Sequence, residues 1–164
     1  MNNQKGFALI ELMAVIVLVG IIATFSAFFL TTGFNGYLNT KNSTEGALNA
    51  QMALDRISME LRNIREVTGT PSSMSLSYIS EDPTVTRTLK YENQRVFIRV
   101  DTTDHMLLDN ISSFDLSFDT RDLDHDPPPS DEEVAGIDVD FELNDIGQNF
   151  RTIIIPRNMV KKTW

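Results

Sequence analysis

The feature that most constrains this chain is a stretch from Leu12 to Thr40 without one charged residue. A helix of roughly 20 apolar residues spans the hydrocarbon core of a bilayer, so residues 7–34 are long enough to cross it. A secretory signal peptide carries a shorter apolar region, about 7–15 residues, with its small-residue cleavage site behind it. Here the small residue, Gly6, comes first. Cleavage after Gly6 removes only the polar leader, residues 1–6, and leaves the apolar helix on the mature chain. Lys5 is the only charge in that leader, and no basic cluster follows the run. Basic residues stay on the cytoplasmic side, so the N-terminus is expected inside and the remainder outside.

Glu11 interrupts the start of the run. A carboxylate within hydrocarbon costs about 2.5–3.5 kcal/mol on insertion scales and usually has a partner. If the chain is cut between Gly6 and Phe7, the new amine of Phe7 lies four residues before Glu11. In a helix that spacing places the two groups about 6 Å apart along the axis, near one face. The amine then pairs with its own Glu11 or with a neighbour's, which primes the helix for side-by-side association. The alternative is an ordinary signal anchor with Glu11 at the cytosolic headgroups.

The segment Gly6-Phe7-Ala8-Leu9-Ile10-Glu11-Leu12 resembles the N-terminal motif of the type IV pilin family, which includes the pseudopilins of type II secretion. The resemblance implies cleavage after Gly6 by a prepilin peptidase on the cytoplasmic face and methylation of the amine of Phe7. It further implies that Glu11 steers the subunit into a growing filament. Other pseudopilins or minor pilins and an inner-membrane assembly platform are the implied partners. No proline occurs between Phe7 and Pro71, unlike many members of the family.

The remainder is expected to form one small acidic domain. The net charge of −9 disfavours nucleic acid as a partner, because phosphate backbones require clustered Lys and Arg. Gly33-Phe34-Asn35-Gly36 weakens helicity where the membrane segment ends. Ala47, Ala50, Leu54, Ile57, Leu61 and Ile64 then recur at spacings of three and four, an apolar stripe expected to pack on the protein's own sheet. This gives an amphipathic continuation over 35–67, stopped by Thr68-Gly69-Thr70-Pro71. From Ser72 the period becomes two. Strands are expected around Met74–Tyr78, Val85–Tyr91, Arg95–Val100, Phe114–Phe118, Ile137–Leu143 and Phe150–Ile155, with a hairpin at Glu92-Asn93-Gln94. The fold class is therefore α+β: a long N-terminal helix packed on an antiparallel sheet spanning 68–164, the arrangement of the pilin fold. Ala53-Leu54-Asp55-Arg56, Glu60-Leu61-Arg62, Leu107 to Phe114 and the closing Arg157-Asn158 resemble J-type pseudopilins and PilW-like minor pilins.

Chemical sites are sparse. Asp122, Asp124, Asp126 and Glu133 fall at positions one, three, five and twelve of a calcium-loop frame. Pro127 stands where that loop requires glycine, and Pro127-Pro128-Pro129 holds the chain extended. A solvated acidic loop is the favoured reading, although some pseudopilins bind calcium through carboxylate loops. His105 and His125 lack companion ligands for a transition metal. No nucleophile elbow, Walker loop or dinucleotide fingerprint occurs, so no enzyme is expected. Asp115, Asp119, Asp138, Asp140 and Glu142 would crowd one sheet face. A strand bearing Arg95 and Arg99, or Arg151, is expected between them, or else a cation or basic partner offsets them. The expected function is a minor pseudopilin or minor pilin, anchored in the inner membrane with its C-terminal domain in the periplasm. A membrane-tethered binding module is the alternative.

Overall fold

A computed structural model describes residues 9–80, 82–123, 132–162 and 164. One helix, α1 (Leu9–Arg62), is followed by eight strands: β1 (Glu66–Val67), β2 (Ser75–Ile79), β3 (Thr86–Glu92), β4 (Arg95–Val100), β5 (Thr103–Leu108), β6 (Ile111–Arg121), β7 (Glu133–Leu143) and β8 (Gln148–Ile154). Two units divide the chain, one ending at Asn42 and the other running from Ser43 to the C-terminus.

In the first unit, every large apolar side chain from Leu9 to Leu38 is exposed. The segment is long and apolar enough to cross a membrane. Three of its threonine hydroxyls turn inward to the backbone. Thr24 Oγ1 donates to the Gly20 carbonyl at 2.8 Å, Thr31 to that of Ala27 at 3.0 Å and Thr40 to that of Gly36 at 3.0 Å. Such back-bonding leaves the side chain without a need for water, the condition a lipid environment sets.

In the second unit the predicted stripe is the buried face of α1: Ala50, Ala53, Leu54, Ile57 and Leu61. The helix ends at Arg62, six residues before the Thr68-Gly69 stop expected from sequence. A tightened last turn closes it, with Asn63 N–H donating to Glu60 O at 3.3 Å and Ile64 N–H to Leu61 O at 3.4 Å. The backbone of Arg65 then donates to Ile79 O, and β1 pairs with β2 through Glu66–Ile79 and Val67–Tyr78. Sheet pairing overrides the helical pattern there. Ile64 stays buried, but as a residue beyond the helix.

Two antiparallel sheets take the place of the single one expected. The first has strand order β1-β2-β3-β4-β5 and the second β6-β7-β8. The β3–β4 hairpin turns where the sequence places it, with φ of 52° at Asn93 and 62° at Gln94, matching the twist of the flanking strands. Strand β5 was not expected. Its residues Thr103 to Met106 are exposed and lack alternation, because it is an edge strand tied to β4 by backbone bonds and by Arg99 with Asp104. Asn110, at φ 59°, reverses the chain between β5 and β6. Strand β6 then pairs forward with β7 and touches the first sheet through Ile111 N–H to Gln94 O at 3.1 Å and Leu116 N–H to Ser73 O at 2.9 Å. One apolar core joins the helix stripe to both sheets. Tyr91 of β3 stacks on Phe114 of β6 at 5.7 Å across the seam between them.

Candidate functional site

Glu11 lies in the first turn of α1, exposed among apolar neighbours. A carboxylate there faces the partial positive end of the helix dipole. Gly6 and Phe7, the expected cleavage and methylation positions, lie outside the described residues, as does Lys5. The placement of Glu11 is compatible with an amine partner four residues earlier. Nothing else charged sits on the helix before Lys41.

Of the calcium-frame residues, Asp124 and Asp126 lie outside the described residues, and so does His125. Asp122 follows β6 and Glu133 opens β7. Glu133 is fully buried. Its Oε2 accepts the Leu123 N–H at 2.8 Å, while its Oε1 has no hydrogen-bond partner among the described residues. Among the described residues no group of three carboxylates or imidazoles converges on a point. The described part of the loop thus assembles no cation cage. Glu133 serves instead to tie the residues after β6 to the start of β7. His105 is exposed on β5.

The charge pattern of the second sheet departs from expectation. Strands β6 and β7 are neighbours, and Asp115 stands directly opposite Asp140. No basic strand lies between them; Arg95 and Arg99 belong to β4 in the other sheet. Arg151 flanks from β8, its Nε 3.0 Å from each carboxylate oxygen of Asp138. Arg121 takes Asp119 at 2.6 Å. Among the described residues, Asp115, Asp140 and Glu142 join no ion pair within bonding distance, but Arg151 stands directly opposite Asp140 on β8 and offsets its charge, and Asp140 accepts the Asn149 amide at 3.3 Å. Alternation placed these carboxylates on one face correctly. Strand order, set by the β6–β7 connection, is what composition did not reveal.

Two clusters escaped the sequence reading. Glu60 on α1 accepts from Arg87 on β3 at 2.8 and 3.0 Å, from Arg56 at 2.6 Å and from the buried Tyr78 hydroxyl at 3.4 Å. Burial, with Glu60 adding to it, pushes the Tyr78 hydroxyl pKa well upward. At the C-terminus, Arg157 N–H donates to Arg62 O at 2.8 Å and Asn158 Nδ2 to Ile64 O at 2.8 Å. Val134 N–H donates to Val160 O and Lys162 N–H to Glu132 O, so the tail clasps both the helix end and β7. The tail's polar composition gave no sign of this.

The fold and site together define a pilin-like architecture: a long apolar N-terminal helix whose second part packs on antiparallel sheets, with an acidic residue in its first turn. Residues 1–27 match the family model described as the prokaryotic N-terminal methylation motif, the prepilin-type signal. That match covers the leader, Glu11 and the first part of α1, and it supports a type IV pilin-like, membrane-anchored subunit. Comparison with curated proteins and with solved structures found no match.

Proposed function

We propose that this chain is a minor pseudopilin of a type II secretion-like machine, with a minor pilin of a type IV pilus or DNA-uptake system as the neighbouring possibility. Prepilin peptidase cuts between Gly6 and Phe7 and methylates the new amine. The helix holds the subunit in the inner membrane with the second unit in the periplasm, and the assembly platform then moves it into the filament. The observation that carries this reading is Glu11 within the matched motif, the one charge on α1 before Lys41 and a carboxylate with no counter-charge among the described residues around it. In low dielectric that charge requires a partner, and the amine of Phe7 is the one that processing supplies. The absence of cysteine, which rules out the C-terminal disulfide common in major pilins, supports the minor class. The subunit works by assembly, with no catalytic step or cofactor.

Two measurements test it together. Intact-mass analysis of the mature chain is expected to show loss of residues 1–6 and one added methyl on Phe7. Glu11→Ala is expected to leave membrane insertion intact and abolish incorporation into filaments. Normal function of Glu11→Ala would favour a tethered binding module instead.

A further inference from the structure

Backbone bonds bring Arg157 to the C-terminal end of α1: its N–H donates to the Arg62 carbonyl, and the neighbouring Asn158 amide to that of Ile64, each at 2.8 Å. Arg62 and Arg157 line one groove of about 690 Å³ there, together with Asp55, Ser58, Met59 and Asn63. Both arginines are exposed, and neither guanidinium joins an ion pair among the described residues. Arg56, Arg87, Arg99, Arg121, Arg151 and Lys162, by contrast, each hold a carboxylate. Arg65 and Arg95 also lack one, but neither lines the groove. Two like charges thus share a cavity because the backbone puts them there, with no attraction between side chains to compensate.

The lining selects the ligand. Guanidinium groups take carboxylates or phosphates in paired hydrogen bonds. The groove's one carboxylate, Asp55, accepts the Gln51 amide at 3.0 Å and stands two helical turns before Arg62, about 10 Å along the axis. It leaves Arg62 unpaired, and its charge repels a free dianion. Met59, 57% exposed, adds a flexible thioether surface that inorganic phosphate cannot use. The net charge of −9 opposes nucleic acid and anionic bilayers, whose many phosphates the rest of the molecule repels. We propose that this groove binds an acidic segment of a different protein, with its carboxylates on Arg62 and Arg157 and an adjoining apolar side chain on Met59. A second copy is a poorer occupant, because the acidic face of β6–β8 carries Arg151 opposite Asp140. The site serves a filament subunit and a tethered module alike, since it uses only the second unit.

The probe is a capped tetrapeptide of leucine, serine and two glutamates, titrated into the isotope-labelled full chain in detergent. The side-chain Nε–Hε signals of Arg62 and Arg157 are expected to shift. Binding is expected to be about tenfold tighter than that of inorganic phosphate, or of the same peptide carrying lysines for glutamates. Serine in place of the leucine is expected to weaken it about threefold. Arg62→Glu with Arg157→Glu is expected to reverse the preference toward the lysine peptide, while the Arg157 backbone bond persists because it uses only the N–H. Should that variant fail to fold, Arg62→Gln with Arg157→Gln is expected to lose about tenfold in affinity for the glutamate peptide. Unmoved arginine signals, equal binding of phosphate, or full binding by the glutamine pair overturns the proposal. Self-association in sedimentation that the glutamine pair abolishes overturns it too, and assigns the groove to a second copy. Glu11-dependent incorporation is a separate readout, so none of these results bears on the subunit reading.

Discussion

Glu60 gives the sharpest test of how α1 is held to the sheet. Its side chain is 10% exposed and that of Arg87 is 28% exposed, with the shorter contact at 2.8 Å. Removing one partner of a fully buried ion pair costs roughly 3–5 kcal/mol, because the other is left desolvated and unpaired. Arg87 retains some solvent, so the expected cost of Glu60→Gln is lower, about 2–3 kcal/mol, including the weakened bond to Tyr78. Arg56 is 54% exposed and adds little. Trp164, the only tryptophan, packs edge-on against Phe118 at 5.6 Å, so its fluorescence follows the second unit. In urea titrations of the full chain in detergent, Glu60→Gln is expected to move the midpoint down by about 1 M. A double-mutant cycle with Arg87→Met isolates the pair and is expected to return a coupling of about 1 kcal/mol or more. Additivity to within about 0.3 kcal/mol would refute the reasoning and show the pair to be screened by solvent.

Four further outcomes follow from the geometry. The hydrogen-bonded Arg99 guanidinium, aided by Lys90, holds the Asp104 carboxyl at about 2. A depressed carboxyl stabilises the fold above its unfolded value and loses that effect as pH falls through the folded one. Wild type and Asp104→Asn should therefore differ in the slope of stability against pH only between about pH 4 and 2, and the Asp104 carbon shift should titrate near the lower value. Gly46 has room for a methyl group, its nearest side-chain atoms being Leu143 Cδ1 at 3.7 Å and Ile146 Cδ1 at 3.9 Å. Gly46→Ala is accordingly expected to raise stability by about 0.5–1 kcal/mol in the same titration. Asn158→Ala is expected to cost about 1 kcal/mol by leaving the Ile64 carbonyl unmet, again read from the urea midpoint. Millimolar calcium is expected to leave the melting temperature unchanged, since Glu133 Oε2 is engaged by Leu123 N–H; a rise would show that the acidic loop completes a cage.

Much of the local structure was legible because it depends on short-range periodicity. Ala50, Leu54, Ile57 and Leu61 read as one buried stripe from their spacing alone, and Asn93-Gln94 as a turn from the strands on either side. The opposition of Asp115 and Asp140 was not legible, because alternation sets a residue's face while strand order sets its neighbour. Strand β5 escaped for a related reason. An edge strand with little to bury shows no apolar period, and only its backbone pairing to β4 defines it. At the candidate site, Glu11 was readable because a lone carboxylate in an uncharged run has few explanations. The groove of Met59, Arg62 and Arg157 was hidden, since it joins residues nearly a hundred positions apart.

That separation has a consequence for how the chain comes to be made. The last carbonyl of α1, that of Arg62, is met by Arg157, and the Ile64 carbonyl just beyond it by Asn158, nearly a hundred positions later. Until they are made, the helix end has no access to these donors, and the start of β7 lacks its backbone bond to Val160. The second unit reaches its final form only after residues 157–162 have been made. Its membrane segment will by then have long been available for insertion, so anchoring and completion of the fold are separated in time. Loss of the Arg157 and Asn158 contacts would therefore strike the earliest-made part of the core.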